Sequence, residues 1–317
     1  MQKLSPNLQG IIWIVLGMFI FSFQNIAIKW ISGGYPVLEI VIFRSLVALP
    51  LTWLFFRMEG NRGLPKSKNL RLELIRGFFL FLSYTTYFMG LSALPLAEAA
   101  SIRFSAPLTI TALSVLMLGE KVGPRRWMAL VIGFTGVLFI VRPGTTSFNW
   151  GSVFVFLATI FYALSLMLTR RLRGDDSSAT MAYFSTVVYL ASAFVLAPTA
   201  VLIGEMPNAH PSVAFLFRAW SIPTPLDLAI MLGLGFIWAS GMFLIAKAYS
   251  LALASVAAPF EYVTLPINVM WGYVIWQEVP TTGTWLGAGL TLASGLYILF
   301  RETKLKETAV VQPQGAD

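Results

Sequence analysis

The sequence predicts an all-α integral membrane protein of ten transmembrane helices, and composition, hydropathy and loop charge each support this prediction. Of its 317 residues, 57% are apolar and only 11% are charged, whereas soluble domains carry about 25% charged residues. A soluble chain of this composition would expose too much apolar surface to stay dispersed. The net charge of +8 is attributed to basic residues in the short loops between apolar segments. Nucleic acid is therefore not expected as a partner.

Ten apolar segments are long enough to cross a bilayer core of about 30 Å, which needs about 20 helical residues. They cover approximately residues 10–31, 36–57, 73–92, 95–118, 125–142, 150–170, 178–203, 226–248, 251–276 and 283–301. Most connections are very short, which favours one compact bundle without a soluble domain. The residues before the first segment are too few and too polar for a cleavable signal. A polar cytoplasmic tail, 302–317, is predicted to be disordered.

The basic residues follow the positive-inside rule. With both termini in the cytoplasm, the inner segments hold most of the Lys and Arg residues, whereas the outer segments hold only Lys29, Arg142 and Arg218. An odd number of helices would break this alternation. The lipid bilayer is the expected surrounding partner.

The second half of the chain repeats the pattern of the first half. The segment from Gly10 to Lys29 is matched in spacing by the segment from Gly151 to Arg170. Later in each half, a proline, a glutamate and a tryptophan recur in the same order: Pro107, Glu120 and Trp127, then Pro266, Glu278 and Trp285. The second half carries extra residues at 204–224, which are interpreted as an insertion.

The two predicted repeats, 1–142 and 150–301, each hold five helices. Because five is odd, the second repeat enters the membrane from the opposite side, and the repeats are inverted. Inverted repeats are typical of secondary transporters, in which one half mimics the other on the opposite face. Gene duplication for stability alone is the alternative.

Residues 93–144, which begin ALPLAEAASIRFSAPL, and their counterpart APFEYVTLPINVMWGYVIWQEVP at 258–280 resemble the EamA type of the drug/metabolite transporter superfamily. The resemblance implies secondary transport of a small organic metabolite across a bacterial inner (plasma) membrane, with helices 3, 4, 8 and 9 around a central cavity. Members that take up S-adenosylmethionine or riboflavin look most similar, and export of an amino acid, drug or metabolite is the alternative. One departure is Gln277, which precedes Glu278 where the family usually has Gly.

Charged side chains at bilayer depth are candidates for function because each costs several kcal/mol when unpaired. Four stand out within the predicted spans: Arg44, Glu98, Arg103 and Glu261. We expect Arg103 and Glu261 to face one cavity and to bind oppositely charged ends of a substrate, with Glu261 also able to exchange a proton. The alternative is a structural ion pair. Arg44 is expected to pair with Glu39 or Glu98 in a structural role.

Prolines and polar groups extend the candidate site. Pro107 and Pro266 are predicted to break two helices at equivalent places, which points to a binding site, although packing kinks are the alternative. Amides within predicted helices can bind substrate or join helices; they are Gln24, Asn25 and Asn268. Aromatic side chains suited to a planar or cationic ligand, or to packing, are Tyr84, Tyr87, Tyr162, Trp238 and Tyr262.

Other functional classes find less support in the sequence. The chain has no Cys and one His, His210, so no metal site, cofactor or catalytic cluster is expected. A channel, an intramembrane enzyme and a non-transporting scaffold or sensor remain alternatives, and proton coupling or solute exchange is expected for a carrier. Glycines of helices 5 and 10 are interpreted as packing surfaces, within one chain or in a homodimer. The insertion at 204–224 is expected to form an interfacial helix that covers the cavity or anchors to the membrane.

Overall fold

The protein is described here by a computed structural model over residues 6–60, 62–118, 123–145, 147–172, 176–251 and 258–311. Its elements are helices joined by short turns. In chain order they are α1 (Pro6–Ile31), α2 (Val37–Met58), α3 (Leu70–Leu91), α4 (Leu96–Arg103), α5 (Ala106–Leu118), α6 (Pro124–Val141), α7 (Trp150–Leu172), α8 (Ser178–Ile203), α9 (Pro211–Phe217), α10 (Pro225–Leu251), a 3-10 helix (Ala258–Val263), α11 (Thr264–Trp276) and α12 (Thr282–Val311). The predicted turn at Glu120 lies outside the described residues.

The bundle has the polarity of a membrane protein. Within the described ranges, six helices are long and apolar enough to cross a membrane, and a shorter apolar helix covers Trp127–Val141. Gln24, Arg44 and Asn268 are buried, whereas large apolar side chains such as Leu202 are exposed. Polar groups inside and apolar groups outside suit a lipid solvent. The all-helical, multi-pass membrane class is confirmed, and the count of ten spans stays a prediction.

The fourth and ninth predicted spans are both interrupted. A turn at residues 104–105 separates α4 from α5, and the 3-10 helix precedes α11. Pro107 and Pro266 therefore lie in the first turn of α5 and of α11, and the prediction that they sit in the middle of continuous helices is wrong. A proline fits the first turn because the N–H groups there have no partner within the helix.

The helices pack in matched pairs. The most extensive contacts join α3 to α7 and α1 to α10, α12 to α6, and α2 to α8. Further contacts join α2 to α10 and α3 to α8, and α4 lies against α11. The first, third and sixth predicted spans are α1, α3 and α7, and the eighth is α10. Exchanging the halves thus turns the α1–α10 pair into the α7–α3 pair.

Glycines permit the close approach of α6 and α12. A Cβ atom added to Gly136 would lie 2.7 Å from the carbonyl oxygen of Gly287, and a Cβ on Gly287 would lie 2.5 Å from Ile140 Cγ1. The two glycine faces therefore pack against each other within one chain. Helix α12 continues to Val311, so the prediction of disorder is wrong for 302–311, where Glu, Lys and Leu favour helix.

Candidate functional site

Arg103 lies at the last residue of α4, just before the break, and three tyrosines surround its guanidinium group. The guanidinium carbon lies 4.7 Å from the ring centre of Tyr87, 5.2 Å from that of Tyr84 and 5.4 Å from that of Tyr162. Tyr84 and Tyr87 are three residues apart on α3 and share a face of that helix, while Tyr162 comes from α7. We call these four residues the tyrosine cage. Its rings attract the cation through their negative faces.

The 3-10 helix before α11 places acidic and aromatic groups beside this cage. Glu261 and Tyr262 lie on the 3-10 helix, where the Tyr262 ring packs edge-on against Phe104 with ring centres 4.8 Å apart. Tyr162 lies in the electrostatic field of both Arg103 and Glu261. The two side chains that the sequence singles out as opposite charges thus share Tyr162 as a neighbour.

Arg44 occupies a second aromatic environment, which we call the aromatic niche: the rings of Phe88, Tyr189 and Trp238. The guanidinium carbon lies 5.7, 5.0 and 4.7 Å from their respective ring centres, and Arg44 is only 1% exposed. Since Arg44 is held among rings, the expectation that it pairs with Glu39 or Glu98 is wrong. The contacts of a residue eight positions into an apolar helix depend on which helices pack against it. Here α3, α8 and α10 contribute aromatic side chains.

Glu98 belongs instead to a group of charges at one end of the bundle. Its carboxylate lies 3.9 Å from the guanidinium of Arg142 and accepts a hydrogen bond from Thr284 at 3.3 Å. Beside it, Lys29 forms an ion pair with Glu278, whose second oxygen accepts the Leu96 N–H at 3.1 Å. We call Lys29, Glu98, Arg142 and Glu278 the ion-pair layer. It ties the ends of α1 and α6 to α4, α11 and α12.

The departure at Gln277 contributes to this layer. Gln277 ends α11 in the left-handed conformation, with φ 56° and ψ 29°, a region that glycine enters more readily than other residues. The backbone N–H of Glu278 then donates to the carbonyl of Gly272 at 3.0 Å. The turn therefore forms without glycine, and it directs the Glu278 side chain toward α1 and α4.

The predicted amides form a polar contact between α1 and α11. Asn25 donates to the side-chain oxygen of Asn268 at 3.2 Å, and the indole N–H of Trp271 donates to Ser22 at 3.0 Å. Among the described residues, the Gln24 side-chain oxygen and the Asn268 side-chain nitrogen are buried without a hydrogen-bond partner. The amides thus join the helices and retain one acceptor and one donor for another group.

Sequence reasoning missed a buried ion pair at the start of α3. Arg76 donates from Nε and Nη2 to one carboxylate oxygen of Glu73, at 2.9 and 2.8 Å, and also to Ser185 of α8 at 2.8 Å. Glu73 is fully buried and Arg76 is 5% exposed. Both residues lie near the boundary between a loop and an apolar segment, where basic residues are expected from the positive-inside rule. The sequence therefore indicates a loop cation at Arg76. The available signal is the spacing of three residues between opposite charges on one helix face.

The insertion is anchored in the bundle. Its helix α9 buries Phe215 completely against the main core, and Arg218 donates to the carbonyl of Ser32. His210 caps this helix by accepting the Ser212 N–H at 3.3 Å, and partial burial lowers the pKa of the imidazole. A short helix is thus present as expected, while the roles of cavity cover or membrane anchor remain predictions.

The fold and the buried charges define a multi-pass membrane transporter, and comparison with known proteins assigns its family. Residues 8–142 match the EamA-like transporter family. The pseudopaline exporter CntI of Pseudomonas aeruginosa (strain PAO1) is 30% identical over 306 residues, which cover 94% of this chain and 96% of the exporter. The chain belongs to the EamA-like transporter family, which confirms the resemblance seen in the sequence.

Two other relatives are similar over comparable lengths. The S-adenosylmethionine uptake transporter of Rickettsia prowazekii is 27% identical and is matched over 96% of each chain. The riboflavin transporter of Vibrio cholerae is 28% identical, covering 94% of this chain and 95% of the relative. One solved crystal structure shares the fold with a TM-score of 0.61 at 16% identity, over 93% of this chain and 98% of its own. The family implies a small-molecule substrate, and these relatives are named as transporters.

Proposed function

We propose that the protein is a secondary carrier in a bacterial inner membrane, with ten spans arranged as two inverted five-helix repeats and both termini in the cytoplasm. The matched packing supports this arrangement, because the α1–α10 contact has its counterpart in α7–α3, and the α2–α10 contact in α8–α3. The loop charges support the orientation. In such carriers a central site is exposed to each side in turn as one half rocks against the other.

The observation that carries the proposed site is the tyrosine cage at the break of the fourth span. Arg103 and Glu261 lie in equivalent spans of the two repeats, and both act on Tyr162. Broken spans in corresponding positions of two repeats are the strongest pointer to a binding site in transporters of this kind. The tyrosines offer ring faces to a planar or cationic part of a substrate, and Glu261 offers a negative charge.

We infer that the substrate is a small organic metabolite with a planar ring system, of the kind that S-adenosylmethionine and riboflavin represent. Relatives named for uptake of these two compounds match nearly the whole chain. The 30% identity to a pseudopaline exporter favours export of a metabolite as a second candidate. Glu261 supplies a carboxyl that would bind and release a proton during the cycle. Exchange of one solute for another is the other source of driving force.

The experiment is transport by purified protein in liposomes, with radiolabelled S-adenosylmethionine and riboflavin as probes. Saturable uptake distinguishes a carrier from a channel, an enzyme or a scaffold. The variant Glu261→Gln is expected to lose proton-driven uptake while it inserts normally. Glu205→Gln, which changes an exposed acidic residue of the insertion, is the matched control. Full uptake by the Glu261→Gln protein would refute the site.

A further inference from the structure

Arg44 is a buried cation whose hydrogen-bonding capacity is only partly used. Its Nε and Nη1 atoms are both inaccessible and have no acceptor among the described residues. The described groups that act on it electrostatically are the hydroxyls of Tyr189, which also accepts a hydrogen bond from the guanidinium group, and of Tyr84; neither is a carboxylate. A buried charge is ordinarily paired and hydrogen-bonded. The aromatic niche therefore holds a positive charge and unused donors without an anion beside them.

The rings of the niche stabilise the cation but leave the Nε and Nη1 donors without a described acceptor. Cation–π attraction acts on the ring faces and does not satisfy these donors. A buried donor without an acceptor is destabilising. The tyrosine cage differs, because the Arg103 nitrogens are not among the buried atoms that lack a partner and Arg103 is only partly buried. Of the two guanidinium groups, Arg44 is the one prepared to receive an oxyanion.

Close helix packing fixes Arg44 at this position. A Cβ atom on Gly235 would lie 2.6 Å from the Arg44 carbonyl oxygen, so α10 crosses α2 at that residue with its backbone in contact. One turn further along α10, Trp238 covers the guanidinium group. A position held by backbone contact presents its charge at a defined place, as a binding group requires.

The niche is continuous with the proposed substrate site. The Tyr84 ring packs edge-on against Trp238 with ring centres 4.8 Å apart, and the Arg103 guanidinium carbon lies 5.2 Å from the same ring centre. Tyr84 thus stands between the two guanidinium groups. The aromatic niche and the tyrosine cage therefore share Tyr84 as a common wall.

We propose that Arg44 and its aromatic niche form an oxyanion subsite of the carrier, which binds the carboxylate or phosphate of the transported solute while the tyrosine cage holds its planar part. The inference rests on the proposed function and narrows the substrate to metabolites that combine a ring system with an oxyanion. An Arg guanidinium suits such a group because its planar donors match the geometry of carboxylate and phosphate oxygens.

The test uses two pairs of probes that differ in the anion, with the purified full-length chain. S-adenosylmethionine is compared with its decarboxylated analogue, and riboflavin 5′-phosphate with riboflavin. Thermal unfolding gives the dissociation constant from the ligand-dependent shift of the melting temperature. The variants are Arg44→Gln and Arg44→Lys, and the control is Arg57→Gln, since Arg57 also stacks on a tryptophan but is exposed.

We expect the wild-type protein to bind the oxyanion member of a pair at least tenfold more tightly than its partner. Arg44→Gln is expected to abolish this difference, and Arg44→Lys to retain part of it. Without ligand, Arg44→Gln is expected to melt no lower than Arg57→Gln, because the substitution removes an unpaired buried charge. A framework role would instead lower the melting temperature of the unliganded protein.

Three results would overturn the subsite. They are equal binding of both members of each pair by the wild type, unchanged discrimination in Arg44→Gln, and an unliganded Arg44→Gln protein that melts well below the control. Riboflavin uptake by a protein that shows no preference for an oxyanion would support the proposed carrier function and refute the subsite. Where no probe binds the wild type, the substrate proposal fails, and the melting temperature of the unliganded variant alone decides the role of Arg44.

Discussion

The contact between α6 and α12 predicts a large effect from a single methyl group. In Gly136→Ala, the added Cβ atom would lie 2.7 Å from both the Gly287 carbonyl oxygen and Thr291 Oγ1. This is about 0.7 Å short of an ordinary contact of 3.4 Å. The oxygen belongs to a helix backbone, so relief requires the helices to separate. Overpacking of this kind costs about 1–3 kcal/mol, partly offset by about 1 kcal/mol of helix propensity gained when Ala replaces Gly.

The matched control is Gly289→Ala on α12, where an added Cβ atom would meet no described atom within 4 Å. This variant gains helix propensity without a clash and is expected to be more stable than wild type. The two variants should therefore differ by about 1–3 kcal/mol, the overpacking cost alone. Thermal unfolding of the purified proteins in detergent measures the difference. Equal melting temperatures for Gly136→Ala and Gly289→Ala would refute the close packing of these helices.

Three further predictions concern charges and the helix cap of the insertion. A double-mutant cycle of Lys29→Met and Glu278→Gln should give a coupling energy of about 1–3 kcal/mol, since both side chains are mostly buried; additive effects would contradict the ion pair. Arg76→Met should reduce the yield of folded protein more than Arg76→Met combined with Glu73→Gln, because the single change leaves an unpaired buried carboxylate. Since burial lowers the pKa of the His210 imidazole, its contribution to stability is complete above pH about 6.5 and is lost as the pH falls through the folded-state pKa. His210→Asn, which keeps a cap, should therefore melt at a less pH-dependent temperature between pH 7 and 5, and identical pH profiles would contradict this role.

The helical segments were predictable from the sequence because each apolar run carries its own evidence of length and hydropathy. Pro107 and Pro266 also indicated breaks in the fourth and ninth predicted spans, but the prolines did not indicate where along the chain each break lies. Proline has no backbone N–H to donate within a helix. This alone does not determine whether the helix kinks at the proline or begins anew about one turn before it. The structure places a helix start at each proline, so the residue that ends the preceding helix, Arg103, stands at the break.

Charge partners were harder to predict than helices, because a partner lies on another helix at a distance in sequence that no periodicity reveals. The sequence predicts a carboxylate partner for Arg44, and the structure surrounds it with three rings. The sequence predicts Glu98 in the substrate site and Arg142 as a loop cation, whereas the two form an ion pair. The Glu73–Arg76 pair escapes prediction because loop charges and buried charges look alike at the end of an apolar segment. Only the packing of α3 against α8 distinguishes them.

The position of Tyr84 between two cations has a thermodynamic consequence. One ring orientation serves the tyrosine cage and the aromatic niche together, so a ligand group that moves the ring at one guanidinium changes the environment of the other. Linkage requires such an effect to be reciprocal. If an anion bound at Arg44 changes the affinity of the Arg103 site by some factor, occupancy of the Arg103 site changes the affinity for the anion by the same factor. A solute carrying both chemical groups would then bind more tightly than two separate molecules bearing one group each, and the carrier would distinguish an intact metabolite from its fragments.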